Sequence, residues 1–160
     1  MSIQLKNISK RFGEQWAVND ISFEIKSGEV VGFIGPNGAG KSTSMKMITG
    51  FLPPTSGDIY VNGLNIKEQA MEIRKIIGYL PENNPLYPEM YVREYLDYVL
   101  NMYSGSVSKD TYIKSLSVDK VIELTSLGRE QHKKIEALSK GYRQRVGLAQ
   151  AIIHNPDVLI

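Results

Sequence analysis

The sequence predicts an α/β fold, and three observations carry that expectation. Val30, Val31, Phe33 and Ile34 form a nearly unbroken apolar run, the texture of a strand buried on both faces of a parallel sheet. Ile76, Ile77, Tyr79 and Leu80 repeat that texture, as do Val158, Leu159 and Ile160, with helical stretches lying between the runs. A different pattern comes earlier: Ile21, Phe23 and Ile25 alternate with Ser22, Glu24 and Lys26, the period of a half-buried antiparallel strand. Parallel strands separated by helices, with a smaller antiparallel sheet beside them, make an α/β layer architecture.

Taken in order along the chain, Ile3 and Leu5 weakly echo the alternating strand that follows. Asn62-Gly63 follows Ile59, Tyr60 and Val61 and is the favoured two-residue hairpin turn, so a further antiparallel pairing is expected there. A short helical stretch is expected near residues 67–75, and residues 81–139 read as mainly helical. Val92, Tyr95, Leu96, Val99, Leu100 and Tyr103 fall on one face of a single helix, which needs such a stripe simply to pack. A second helix is expected over residues 118–127, stopped by Gly128, with residues 104–108 as a short polar joint before it. There is no internal repeat and no low-complexity segment.

Composition narrows the function classes. The 160 residues carry 19 Lys+Arg against 17 Asp+Glu, a net charge of +2, too even for a nucleic-acid stripe or a polybasic membrane anchor. Nucleic acid is therefore not an expected partner, and the pairs Lys10-Arg11 and Lys133-Lys134 read as solvated faces. Cysteine is absent, which removes disulfides, thiol chemistry and zinc-finger spacings and fits an intracellular protein. No apolar run approaches the roughly 18 residues of a membrane span, and the start has no apolar signal core, so a soluble, non-exported chain is expected.

The chemistry sits in GPNGAGKST at residues 35–43. Gly35, Gly40, Lys41 and Ser42 satisfy the G-x-x-x-x-G-K-[ST] phosphate loop, placed after an apolar run and before a helix-like segment at residues 42–50. Such a loop wraps backbone N–H groups around phosphate oxygens at a helix N-terminus, where unpaired donors and the helix dipole both favour negative charge. Asn37, Gly38, Ala39, Gly40 and Thr43 supply the backbone of that cradle. Lys41 is expected on the β- and γ-phosphates and the Ser42 hydroxyl on Mg²⁺.

The motif alone does not separate a kinase, a GTPase and an ATPase. Its surroundings do: ISFEIKSGEVVGFIG runs into the loop, and LSKGYRQRVGLAQAI follows about a hundred residues later. With these segments the chain resembles the ATP-binding cassette (ABC) family over essentially its whole length. The resemblance implies a P-loop NTPase core of the ABC type with an antiparallel β subdomain and an inserted helical subdomain. On that pattern residues 1–81 are the ATP-binding core, 82–137 the helical subdomain, and 138–160 the signature helix and the entry to the next strand.

The resemblance also assigns residues. Phe12, in KRFG, matches the aromatic that stacks on adenine, and Val18 the small apolar neighbour of the base. Leu138, Ser139, Lys140, Gly141 and Tyr142 stand where the family has LSGGQ, departing at two of the five positions. In the family this segment faces the γ-phosphate of nucleotide held by a second ABC subunit. Ser139 is also a natural helix N-cap, whereas Gly141, in a first helical turn, makes sense where a ligand or backbone comes close. The Gln that usually reaches Mg²⁺ is Glu82 here, still a hard oxygen ligand but one that adds negative charge beside the phosphates.

GYLPENNPLYPEMYVREYL is similar to the branch serving exporters of drugs or polysaccharides and gliding-motility machinery. Leu86 and Tyr87, between Pro85 and Pro88, are the implied contact with a transmembrane permease subunit, which would hold the protein on the cytoplasmic face of the membrane. Members of the family continue the last strand into an Asp, a Glu and later a His that complete hydrolysis. None of the three lies within residues 1–160, so Lys41 is the one catalytic-loop residue present, the C-terminal part is expected to be missing, and the chain is expected to bind ATP without hydrolysing it. His132 and His154 match no such role and read as surface or turn residues. The competing classes are a soluble ABC protein acting on ribosomes or DNA, and a non-hydrolysing nucleotide-binding module.

Overall fold

The computed structural model describes residues 2–104 and 115–160 and divides into two compact units, residues 1–74 and 75–160. The expected polar joint at residues 104–108 lies outside the described residues apart from Ser104, which closes a helix.

In the first unit, β1 (Ile3–Phe12) pairs antiparallel with β2 (Gln15–Ile25) on one side and with β3 (Ser56–Val61) on the other. The short β4 (Leu64–Asn65) completes a sheet of order β2-β1-β3-β4. The alternation at Ile21, Phe23 and Ile25 is the pleat of β2, and Ile3 and Leu5 lie opposite Ile25 and Phe23. Asn62 (φ 49°) and Gly63 (φ 83°) are both left-handed, the type I′ geometry whose twist matches a two-residue hairpin between Val61 and Leu64. One face of the sheet buries Leu5, Ile8, Ile59 and Val61. Helix α1 (Lys41–Ile48) lies against β2 and β3 with Met47 and Ile48 buried. Its end is a Schellman turn: Gly50, at φ 69°, donates to the Met47 carbonyl at 3.1 Å and Phe51 to the Lys46 carbonyl at 2.9 Å.

The apolar run at residues 30–34 is not a strand. Val30 and Ile34 are almost fully exposed, and the Phe33 ring lies 5.7 Å from the Phe23 ring. A parallel strand is held by ladders to its neighbours, and among the described residues nothing pairs with this segment. Apolar composition without a partner strand leaves an extended loop.

The other two apolar runs do pair as expected. Helix α2 (Ala70–Ile76) leads into β5 (Ile77–Gly78), which runs parallel to β6 (Val158–Leu159) with Ile77 opposite Val158. The ladder is extended when Leu80 N–H donates to the Ile160 carbonyl at 2.9 Å.

Among the described residues, three further α-helices belong to the second unit: α3 (Val92–Ser104), α4 (Val118–Leu124) and α5 (Lys140–Ile152). They enclose a core of Val92, Tyr95, Leu96, Val99, Val121, Ile122, Leu127, Val146 and Ile153, so the helical stripe is a packing face. Tyr95 reaches through that core, and its hydroxyl donates to Gln150 Oε1 at 2.6 Å. Burial pushes the Tyr95 phenol up to about 12. Helix α4 stops at Leu124, short of Gly128. Ser126 takes the left-handed position (φ 54°), and Leu127 N–H donates to the Ile122 carbonyl at 2.9 Å, a Schellman end built without glycine.

His132 is exposed as expected, but His154 is not a surface residue. It lies in the turn after α5, 1% exposed, with its ring stacked on Tyr103 at 4.1 Å and 8°. Nε2 donates to the Ile77 carbonyl at 3.1 Å, and Nδ1 is buried without a hydrogen-bond partner. An imidazole can be buried this way only while neutral, and desolvation holds its pKa below the ordinary value, with the Ile77 carbonyl opposing in part.

Candidate functional site

Residues 35–43 form the turn that feeds α1. Ala39 N–H donates to the Pro36 carbonyl at 3.3 Å, and Gly38 and Gly40 adopt φ of 85° and 84°. At Gly40 glycine is required twice over. The backbone is left-handed, and a Cβ there would run into the Ala17 carbonyl oxygen and stand 2.9 Å from Val18 Cγ2. Val18 is itself buried, so β2 presses directly on the loop, and this is how the antiparallel sheet fixes the loop's shape.

Gly40 is also the N-cap of α1. It offers no side chain to the first-turn N–H groups, and no acidic residue sits in that turn. Orphan donors and the positive end of the helix dipole therefore remain for an external anion. Lys41 Nζ donates to the carbonyls of Gly35 and Pro36, each at 2.6 Å, which folds the ammonium across the mouth of the loop. Ser42, the second residue of α1, is exposed, as are Asn37, Gly38 and Ala39, while Thr43 is half-buried. A left-handed glycine pair, an uncapped helix end and a folded-in ammonium are a donor set that fits a polyphosphate.

Phe12 ends β1 beside the hairpin turn at Gly13 (φ 57°). It is 53% exposed, with the Lys10 ammonium over its ring at 5.3 Å, so it is not a core residue and can offer a flat aromatic face. Of the residues singled out in the first unit, the structure thus brings Val18 and Gly40 into contact and gathers Lys41 onto Gly35 and Pro36.

Glu82, Ser139 and Gly141 belong to the second unit. Ser139 caps α5, its hydroxyl accepting from Tyr142 N–H at 3.4 Å, so capping accounts for this serine. Gly141 is exposed, and a Cβ on it would meet only Ser139 Oγ at 4.0 Å. Nothing among the described residues demands glycine at that point. Glu82 is exposed in the loop after β5, where its backbone carbonyl accepts from Gln144 Nε2 at 3.5 Å. No group of three or more His, Cys, Asp or Glu side chains able to hold a metal occurs among the described residues. Mg²⁺ does not require one, because it is usually held by one or two protein oxygens together with phosphates and waters.

Two residues of this unit carry no sign in the sequence beyond a glycine inside a helix. Gly147 sits mid-way along α5, and the space its side chain would fill is taken by Asn84 and by Leu80 Cδ1, 2.7 Å from the Cβ position. Asn84 Nδ2 donates to the Arg143 carbonyl at 3.1 Å.

Comparison with known proteins places these features in a family. A family model described as ABC transporter matches residues 18–160. The chain is 38% identical over 158 residues to the uncharacterized ABC transporter ATP-binding protein YhcH of Bacillus subtilis strain 168, covering 99% of this chain and 50% of that protein. It is 36% identical, with the same coverage, to the linearmycin resistance ATP-binding protein LnrL of the same organism. It is 35% identical to the Nod factor export ATP-binding protein I of Burkholderia lata, covering 99% of this chain and 51% of that protein. The chain thus spans about half the length of the curated relatives it matches. Among solved structures, an ATP-binding subunit of an ABC transporter superposes with a TM-score of 0.83 at 30% identity, covering 99% of this chain and 65% of that one. A dimeric ATP-binding cassette in a post-hydrolysis state bound to ADP and Pi gives 0.81 at 27% identity, covering 98% of this chain and 72% of that one. With its phosphate loop, its antiparallel sheet and its capped α5 helix, the chain belongs to the ABC transporter family.

Proposed function

We propose that the protein binds MgATP as the nucleotide-binding subunit of an exporter-type ABC transporter and couples its hydrolysis to transport through a separate membrane subunit. The observation that carries this reading is the loop at residues 35–43: two left-handed glycines, an uncapped α1 and the Lys41 ammonium folded over them. Its chemistry is electrostatic. Lys41 exchanges its two carbonyl partners for β- and γ-phosphate oxygens, and the α1 N-terminus faces the remaining charge. Phe12 stacks on the adenine, with Val18 behind it at the base of the loop. The Ser42 hydroxyl is the protein oxygen of this loop that would hold Mg²⁺, which would neutralise phosphate charge, and Glu82 is the further oxygen ligand we propose.

We read residues 1–81 as the ATP-binding core, 82–137 as the helical part and 138–160 as the signature helix with the strand after it. In the working assembly Ser139 and Gly141 would face nucleotide held by a second ABC subunit. A glycine that no described neighbour requires supports that reading, as does the relative solved as a dimer with ADP and Pi. Leu86 and the half-exposed Tyr87 would meet the membrane subunit on the cytoplasmic face. Among the described residues no helix is long and apolar enough to cross a membrane, in keeping with a membrane path supplied by another subunit.

The test is ATP affinity of the full-length protein, measured calorimetrically, in the parent and in Lys41→Ala. Loss of one charge-assisted contact, worth roughly 1.5–3 kcal/mol, weakens binding by at least about tenfold. Equal affinity in the two proteins would remove the phosphate role of Lys41 and the reading built on it.

A further inference from the structure

The loop after β5 and helix α5 are tied together by side-chain hydrogen bonds, and the shorter of them has a specific construction. Asn84 Nδ2 donates to the Arg143 carbonyl at 3.1 Å. In an α-helix that carbonyl already accepts from the N–H of residue 147, so the amide uses its second lone pair. The approach is possible because residue 147 is glycine: a Cβ there would lie within the Asn84 side-chain amide, 2.5 Å from its Cγ. Glycine inside a helix costs stability relative to alanine, and here the missing side chain is replaced by the incoming loop. A second, longer contact, Gln144 Nε2 to the Glu82 carbonyl at 3.5 Å, holds the same loop two residues earlier.

Arg143 continues the connection. Its guanidinium reaches back along α5 to the Leu138 carbonyl at 2.7 Å, immediately before the Ser139 cap and two residues ahead of Lys140. A contiguous polar path therefore runs from the loop bearing Glu82, through Asn84 and Arg143, to the segment bearing Ser139 and Gly141. A contiguous path becomes a coupling device when displacement at one end biases the other.

We propose that Asn84 is a positioning residue that couples the Glu82 loop to the N-terminal segment of α5, with Gly147 as the residue that admits it. The inference rests on the reading that Glu82 and the Ser139 segment both serve bound nucleotide. On that reading, whatever moves the Glu82 loop is felt at Ser139 and Gly141 without a contact between Glu82 and those residues. Asn84 itself need touch neither nucleotide nor metal.

The test uses a reporter thiol at Asn83, which is exposed and adjacent to the tie. Asn83→Cys is introduced into the full-length protein, with any cysteine outside these 160 residues removed, since none lies within them. The rate of maleimide alkylation is measured with and without MgATP, alongside ATP affinity by calorimetry. In the Asn83→Cys background MgATP changes the rate. Asn84→Ala and Gly147→Ala each raise the nucleotide-free rate about fivefold, the factor one ordinary hydrogen bond supplies, and abolish the response to MgATP while ATP affinity stays within twofold. Asn84→Asp keeps the volume but places an acceptor against the Arg143 carbonyl, so it behaves as Asn84→Ala and decides the matter if Gly147→Ala does not fold. Parental rates, or a parental MgATP response, in Asn84→Ala and Asn84→Asp overturn the proposal, as does a thiol that ignores ATP shown to be bound. If Lys41→Ala leaves ATP affinity intact, the nucleotide reading has failed instead, and the nucleotide-free rates still judge the tie by themselves.

Discussion

Gly40→Ala should damage the protein in a way that Gly38→Ala does not, although both glycines stand in the same loop at nearly the same φ. At either position alanine must enter the left-handed region, at a cost of about 1–2 kcal/mol. At Gly38 nothing lies within 4 Å of the added methyl, so that cost is the whole effect. At Gly40 the methyl collides with the Ala17 carbonyl oxygen and stands 2.9 Å from Val18 Cγ2 and 3.3 Å from the Ala17 carbonyl carbon. Backbone cannot swing aside as a flexible side chain can, and overpacking of this kind adds about 1–3 kcal/mol. The expected totals are about 1–2 kcal/mol for Gly38→Ala and about 2–5 kcal/mol for Gly40→Ala. Urea unfolding of the full-length protein, followed by the fluorescence of Trp16 in the same unit, measures both. If the two variants unfold at the same urea concentration, the contact between β2 and the loop does not constrain it, and the account of how the sheet shapes the loop is wrong.

Three further outcomes can be checked. Phe12→Ala should leave stability nearly unchanged, because the ring is half-exposed, yet weaken ATP binding about 5- to 150-fold, the equivalent of roughly 1–3 kcal/mol of stacking; unchanged affinity in calorimetry removes Phe12 from the base site. Gly141→Ala should stabilise α5 by about 0.5–1 kcal/mol, since no neighbour opposes the methyl, while lowering ATP-dependent self-association read by analytical ultracentrifugation; association as strong as the parent's would free Gly141 from any interface. His154 titrates below its ordinary 6.5 in the folded protein, so the unfolded chain takes up the proton first as pH falls. Its contribution to stability is complete above pH 6.5 and is lost progressively below it, by at most about 1.4 kcal/mol per pH unit. His154→Phe should flatten that part of the stability–pH curve, and a variant whose curve keeps the parental slope would show that His154 is not the group responsible.

The antiparallel sheet was legible because its information is local. Period-2 alternation in β2 and the Asn62-Gly63 turn need no knowledge of distant residues, and the α3 stripe likewise reports its own packing face. The phosphate loop was legible for a related reason: backbone conformation and charge at one helix start restrict residue types over nine consecutive positions. Residues 30–34 misled because an apolar run records a propensity for burial, whereas a strand also needs a neighbouring ladder, and that is a property of other segments. His154 misled because a polar residue in a turn is ordinarily wet, and nothing next to it in sequence announces the Tyr103 ring. Asn84 and Gly147 were invisible as a pair for the same reason, being 63 positions apart in the chain. Ser126 hid the end of α4 by doing in the left-handed region what glycine usually does.

If Lys41 holds phosphate as proposed, the two carbonyls that accept from its Nζ set what it would select for. An ammonium surrounded by water would welcome any anion. This one already holds two short hydrogen bonds within its own loop, so an incoming group gains only the difference between its oxygens and those two neutral acceptors. A carboxylate or a single weakly charged phosphate offers a small margin, whereas adjacent phosphates carrying several charges offer a large one. On the proposed reading the loop would act as a threshold as well as an attraction, favouring a ligand whose charge density exceeds that of its own backbone acceptors.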